Sequence, residues 1–259
     1  MNVCLAMAWN PRGETERLRR LYPVFSQWYG AMVVSTPRDA EADALDLLRS
    51  LPDVRLGARD GWESGRMTAL EMALESGADY VHYVDGDRLI RWCELHPDEL
   101  RRTIDAVPTA DYLVIGRTPA AFATHPQSLQ QTESVTNEVF SLLIGQPLDL
   151  TAGSKGLSRA AVEFLLANAD PAQALGTDAE WVVLLHRAGF SIGSVLVDGL
   201  DWETADRYLP HAADVETQRR AAEAYDADAK HWEFRVRVLN ETTRAGLAAL
   251  TQPLKQERT

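Results

Sequence analysis

Short apolar runs alternate with amphipathic stretches through the first two-thirds of the chain. Residues 3–8 predict a strand. Residues 14–29 predict an amphipathic helix, with Leu18, Leu21, Tyr22 and Phe25 on one side. A second strand is expected at 31–35, a helix at 40–50 and a short third strand at 54–56. A helix at 65–75 leads into the apolar run Tyr80-Val81-His82-Tyr83-Val84, which reads as a strand ending at Asp85. A helix at 97–106 and a strand at 112–116 follow. Residues 119–131 look irregular, 132–144 helical, and 149–156 a loop or strand edge. Helices at 158–168 and 177–188 precede a late strand at 191–197, and residues 212–250 form a charged helical tail. Strand–helix alternation of this kind predicts an α/β fold with a mostly parallel central sheet flanked by helices. The simplest division is one domain over 1–210 with a helical C-terminal extension, 211–259, packed on it and available for a homodimer contact.

In open sheets of this type ligands sit beyond the carboxyl ends of the strands, where Asn10, Arg59 and Asp85 would converge. Asp85-Gly86-Asp87 is the sharpest feature there. In extended backbone the two aspartates point the same way, and Gly86 lets the chain approach a ligand. Two hard oxygen ligands with water and phosphate completing the shell suit Mg²⁺ or Mn²⁺ on a diphosphate. The same letters also encode an ordinary Asp-Gly turn. His82, preceding the pair in an alternating strand, reads as a core residue.

Charge narrows the partners. Lys plus Arg number 26 against 38 Asp plus Glu, a formal charge of −12 in 259 residues. An acidic surface repels nucleic-acid phosphates and excludes that class, while a bound divalent cation still admits a small anion. Cys4 and Cys93 are too few for a disulfide framework or a zinc site. No apolar run approaches the ~20 residues of a membrane span. The start of the chain lacks the pattern of a signal peptide, so the expectation is a soluble cytoplasmic protein.

The stretch from Ser64-Gly65-Arg66 through Gly77-Ala78-Asp79 to Asp85-Gly86-Asp87 resembles GT-A glycosyltransferases. Those enzymes pair a Gly-Arg helix start with a strand ending in Asp-x-Asp. Thr136 to Leu143 followed by Asp149 to Arg159 is similar to the acceptor region of polyprenol-phosphate and phosphoglycerate glycosyltransferases of the family-2 type. Thr177-Asp178-Ala179-Glu180-Trp181 resembles their acidic segment. Together the matches span about residues 3 to 210, although Ala8-Trp9-Asn10-Pro11 departs from the family's opening motif.

The resemblance implies a metal-dependent transfer of a hexose from a nucleotide diphosphate sugar to a small or phosphorylated acceptor. It implies donor contacts from Asn10, Arg12, Arg59, Arg66, Asp85, Gly86 and Asp87, with Asp60 beside Arg59. Metal ligation falls to Asp85 and Asp87, with His211 as the distal ligand. The Gly153-Ser154-Lys155-Gly156 stretch is the acceptor loop. Asp178 is the candidate general base if configuration inverts, with Glu180 as alternate; Thr177 and Glu180 also have the spacing of a helix capping box. The rival readings are a sugar-phosphate nucleotidyltransferase and a non-catalytic nucleotide-binding domain of the same fold.

Overall fold

The computed structural model describes residues 2–59 and 65–255. Seven strands form one sheet: β1 (Val3–Ala8), β2 (Ala31–Pro37), β3 (Val54–Arg59), β4 (Tyr80–Val84), β5 (Tyr112–Arg117), β6 (Ser154–Ser158) and β7 (Ile192–Val197). Their spatial order is β3-β2-β1-β4-β6-β5-β7. β6 runs antiparallel to both neighbours, and the other pairings are parallel.

Strand alternation sorts the core into two layers. Cys4 and Ala6 of β1 join Tyr83, Trp181 and Leu184 on one face, while Leu5 and Met7 join Phe25, Leu48 and Trp92 on the other. The first layer is closed by α3 (Gly65–Glu75), α8 (Arg159–Asn168) and α9 (Thr177–Arg187). The second is closed by α1 (Thr15–Phe25), α2 (Ala42–Ser50), α4 (Gly86–Leu95) and α5 (Pro97–Ala106). Beyond the sheet lie α6 (Pro119–Ala123), α7 (Gln127–Ile144), α10 (Val215–Asp226) and α11 (Ala229–Ala249). α11 lies against α7 and α9, where a Cβ on Gly246 would come 2.2 Å from Phe140 Cζ. No helix among the described residues is long and apolar enough to cross a membrane.

Three elements differ from expectation. β4 stops at Val84, and the chain turns at once into α4, which the sequence reading lacked. Arg91 disguised that helix, because a charge appears on its buried face. It is accommodated there by Asp201 at 2.6 Å and Asp206 at 2.6 Å. Residues 154–158, expected in a loop or strand edge, form a fully buried strand inside the sheet. Its polar letters mislead because Lys155 has a buried counter-ion. Finally, α6 and the first turn of α7 occupy part of the stretch expected to be irregular.

Candidate active site

The strand ends converge as anticipated, but the local geometry of the acidic pair differs. Asp85 is the N-cap residue of α4, and Asp87 lies in its first turn rather than in extended backbone. Asp85 Oδ1 accepts from the Tyr83 hydroxyl at 2.6 Å, and Oδ2 from Arg66 Nη2 at 3.3 Å. Gly86 has no alternative at its position: a Cβ there would lie 2.4 Å from Cγ of buried Trp9.

Asp87 is half-buried among like charges. Burial, then the neighbouring Glu203 and Asp85 carboxylates, push its carboxyl up to about 7, with Arg88 opposing and Glu14 adding to the rise. Glu203 arrives on a 3₁₀ turn after β7. Its buried Oε2 accepts no hydrogen bond and has Arg88 Nε at 3.7 Å. Crowded carboxylates, one proton-retaining and one with an unsatisfied oxygen, form a donor set that fits a hard divalent cation. Among the described residues no group of three or more His, Cys, Asp or Glu side chains is placed to hold a metal ion, so the chain itself offers at most two ligands. Such a partial shell is what Mg²⁺ takes when phosphate oxygens and water supply the remainder.

A second network joins residues that the sequence had assigned to different roles. Asp178 Oδ1 accepts from Arg66 Nη1 and from Lys155 Nζ, both at 2.6 Å, and Arg66 also donates to Thr177 Oγ1 at 3.1 Å. The register explains the meeting: Lys155 stands directly opposite Tyr83, so both side chains emerge on the face covered by α9. Burial alone would raise the Asp178 carboxyl, but Arg66 and Lys155 outweigh it and hold the group below its ordinary range. That corrects its expected role, since a carboxylate tied to two cations is a weak proton acceptor. Glu180 does not form the capping box. Its Oε1 accepts from Asp170 N at 2.9 Å, and burial pushes its carboxyl up to about 7.

The acceptor-loop expectation is corrected too. Lys155 is fully buried in β6, not displayed on a loop. Ser154 turns to the opposite face, where His82 Nε2 lies 3.1 Å from its Oγ. His82 bonds on its other side to the Tyr29 hydroxyl at 2.8 Å, and burial lowers its pKa to about 3, so it is a neutral core residue. Gly153 has φ +71°, and a Cβ there would sit 2.7 Å from Asp85 Oδ2. Its carbonyl accepts from Asp85 N at 3.1 Å, which brings it to the motif's backbone.

His211 is not beside the acidic pair. It is 70% exposed and lies 3.2 Å from Glu94, roughly 10 Å further along α4 than Asp87 at 1.5 Å per residue. Asn10 is exposed beyond β1, and Arg12 is half-buried in the following turn. Arg59, buried at the end of β3, lies against Gly65 and feels the Asp85 charge. Asp60 lies outside the described residues.

Sequence reasoning missed what the late segments bring. A cavity of about 70 Å³ is lined by Arg66, Asp85, Arg88 and Asp178, and roofed by Arg235 and Thr242 of α11. Arg235 pairs with Glu133 of α7, which also holds buried Arg117 at 2.8 Å; Asp149 holds Arg117 at 2.7 Å. Larger grooves of about 590 and 450 Å³ touch neither aspartate of the motif. Arg88 was in plain sight after Asp87, but nothing local marks Arg235 among the charges of its helix.

The chain matches no protein-family model and no curated protein. Among solved structures it is similar to glucosyl-3-phosphoglycerate synthase of Mycobacterium tuberculosis. That likeness has a TM-score of 0.59 and 14% identity, over 97% of this chain and 81% of that one. Mannosyl-3-phosphoglycerate synthase from Rubrobacter xylanophilus aligns with a TM-score of 0.56 and 13% identity, over 99% of this chain and 77% of that one. The M. tuberculosis enzyme in complex with Mn²⁺, UDP-glucose and phosphoglyceric acid aligns with a TM-score of 0.52 and 14% identity, over 96% and 78%. Identities this low establish the fold, and the fold is GT-A.

Proposed function

We propose that this protein is a glycosyltransferase that uses Mg²⁺ or Mn²⁺ to move a hexose from a nucleotide diphosphate sugar to a small phosphorylated acceptor. The observation that carries the reading is the crowding of the Asp85, Asp87 and Glu203 carboxylates near the carboxyl end of β4, which Arg66 and Arg88 only partly offset. The solved structure that binds Mn²⁺ and UDP-glucose in the same fold supports it. Asp87 would hold the ion, with Asp85 and Glu203 beside it.

When bound, the ion supplies charge neutralisation to the departing diphosphate. The chain's own residues do the rest. Arg66 and Arg59, both buried near Asp85, set a positive wall at the donor side. Asp178 fixes Arg66 and Lys155 by ion pairs, which suits positioning rather than proton transfer. Arg88 and Arg235 border the small cavity under α11, where a phosphorylated acceptor would find cations close to the donor. The enclosing helix keeps water from competing for the transferred sugar.

Calorimetry with a panel of nucleotide sugars tests this reading. Native protein is expected to bind one of them only with Mn²⁺ present, and Asp87→Asn to lose that binding while staying folded. Donor binding that ignores both Mn²⁺ and the substitution rules the reading out. Release of pyrophosphate from a nucleoside triphosphate and a sugar phosphate would instead identify a nucleotidyltransferase.

A further inference from the structure

The two outer edges of the sheet are finished differently. β3 carries Arg55 and Arg59, and Arg55 pairs with Glu75 of α3; charges on an edge discourage pairing with another strand. β7 is the other outer strand, and Ile192-Gly193-Ser194-Val195-Leu196-Val197 contains neither a charge nor a proline. The carbonyls of Ser191 and Val197 accept from Tyr112 N and Thr118 N, both at 3.0 Å. The odd-numbered residues of β7 therefore turn their N–H and C=O groups to β5, and the even-numbered ones turn theirs outward. Gln146 Nε2 covers the outward carbonyl of Ile192 at 3.1 Å. The outward N–H and C=O groups of Ser194 and Leu196 have no protein partner among the described residues.

The surface beside this edge is apolar. Leu196 is 55% exposed and borders the groove of about 590 Å³ between α7 and β7, together with Phe122, Pro147 and Leu148. On α7, Val135 is 50% exposed and Leu142 75%. Two turns apart, they share a helix face with Glu138, which lines the groove, so the stripe follows the groove's rim. Exposed apolar side chains gathered beside an unprotected edge mark a contact surface. Its shape is self-complementary. Antiparallel pairing of Ser194 with Leu196 of a second copy, and of Leu196 with that copy's Ser194, closes about a two-fold axis at Val195 and satisfies all the outward groups. That axis is perpendicular to the sheet, so the two α7 helices come side by side on one face with Val135 and Leu142 between them. An unrelated extended peptide would satisfy the edge but leave the helix stripe in water; a second copy covers both. Two chains of formal charge −12 repel over most of their surface, whereas this edge and stripe carry one charged side chain, Glu138.

We infer that the protein forms a two-fold dimer through antiparallel pairing of β7 with β7 of a second copy, joining the two seven-stranded sheets into one. The groove beside β7 touches neither aspartate of the motif, so the inference stands apart from the glycosyltransferase reading. It also moves the expected homodimer contact from the C-terminal helices to the sheet edge.

Sedimentation equilibrium of native protein and two variants, each over a wide range of concentrations, tests this. Native protein is expected to be a dimer. Ser194→Pro removes an outward N–H that the β5 ladder does not use, so the fold is kept and the pairing is lost. Leu142→Lys sets a charge on the exposed helix stripe without touching the strand. Each variant should weaken the dimer about tenfold or more, with the far-UV circular dichroism of native protein. Should Ser194→Pro fail to fold, Leu142→Lys alone decides. Native protein that sediments as a monomer throughout overturns the inference. A dimer that either folded variant leaves as tight as native lies on another surface, and overturns it as well.

Discussion

Replacing Asp178 by Asn removes the shared counter-ion of two buried cations, and the structure sets the size of the effect. Lys155 is fully buried and Arg66 nearly so, and each meets Asp178 Oδ1 at 2.6 Å. Arg66 keeps Asp85 at 3.3 Å, whereas Lys155 has no other ion pair among the described residues. Breaking a buried pair from one side costs about 3–5 kcal/mol because the partner charge stays desolvated. Against a total stability of ~5–15 kcal/mol that loss is large but survivable. Its pH dependence identifies the cause. Burial already lowers the Lys155 pKa, with Asp178 opposing, and without Asp178 it falls further. Below the lowered value both folded and unfolded chains carry the proton, and the full penalty applies. Between that value and the ordinary ~10.4, the unfolded chain binds the extra proton, so stability rises with pH. Urea unfolding followed by fluorescence of buried Trp92 and Trp181 reads this directly. The Asn variant should lose about 3–5 kcal/mol at pH 7 and recover part of it by pH 10. Adding Lys155→Met should restore at least about 1 kcal/mol. A loss under about 1 kcal/mol, or one that the second substitution deepens, would refute the argument.

Three further outcomes are expected. The Asp87 carboxyl, raised to about 7, favours the metal-free fold below its ordinary value near ~3.9, and that contribution disappears as pH rises through about 7. Melting curves of native protein without metal should therefore fall over that window more steeply than those of Asp87→Asn. At pH 8 Mn²⁺ should raise the native Tm alone. Gly86→Ala would set a Cβ 2.4 Å from Trp9 Cγ, so denaturation should report a loss of about 1–3 kcal/mol. His211→Ala should leave Mn²⁺ affinity measured by calorimetry unchanged, because His211 lies against Glu94 near the far end of α4 from Asp87.

The alternation of apolar runs was enough to anticipate most strands, since buried parallel strands leave little choice of composition. It failed where charge enters the core. Arg91 hid α4, and Lys155 hid a strand at the heart of the sheet, because a buried cation becomes acceptable only through a distant partner. Asp201 and Asp178 are those partners, and no local pattern connects them. The same limit applies at the site. Asp85 and Asp87 were legible from strand end and spacing, whereas Glu203 and Arg235 reach it from segments whose return path is set by tertiary packing. The anticipated late ligand was sought at His211, but the segment after β7 meets the motif earlier, at Glu203.

Charge placement ties these observations together. The chain carries a formal −12, yet Arg59, Arg66, Arg88 and Arg117 cluster near the carboxyl edge of the sheet, with Arg235 above them. Desolvating each guanidinium costs several kcal/mol unless it is paired. Asp149, Glu133 and Asp178 supply most of that pairing without reaching the mouth of the site. Five guanidiniums against those three carboxylates leave the buried network net cationic, while Asp87 and Glu203 bring carboxylates beside it. A ligand complementary to both charge groups is an anion that carries its own cation. A metal-bound diphosphate satisfies that condition, and a bare cation or bare anion satisfies only half of it. Binding of Mn²⁺ and pyrophosphate should accordingly be cooperative, each tightening the other by the same factor in paired calorimetric titrations. Independent binding of the two would break that link.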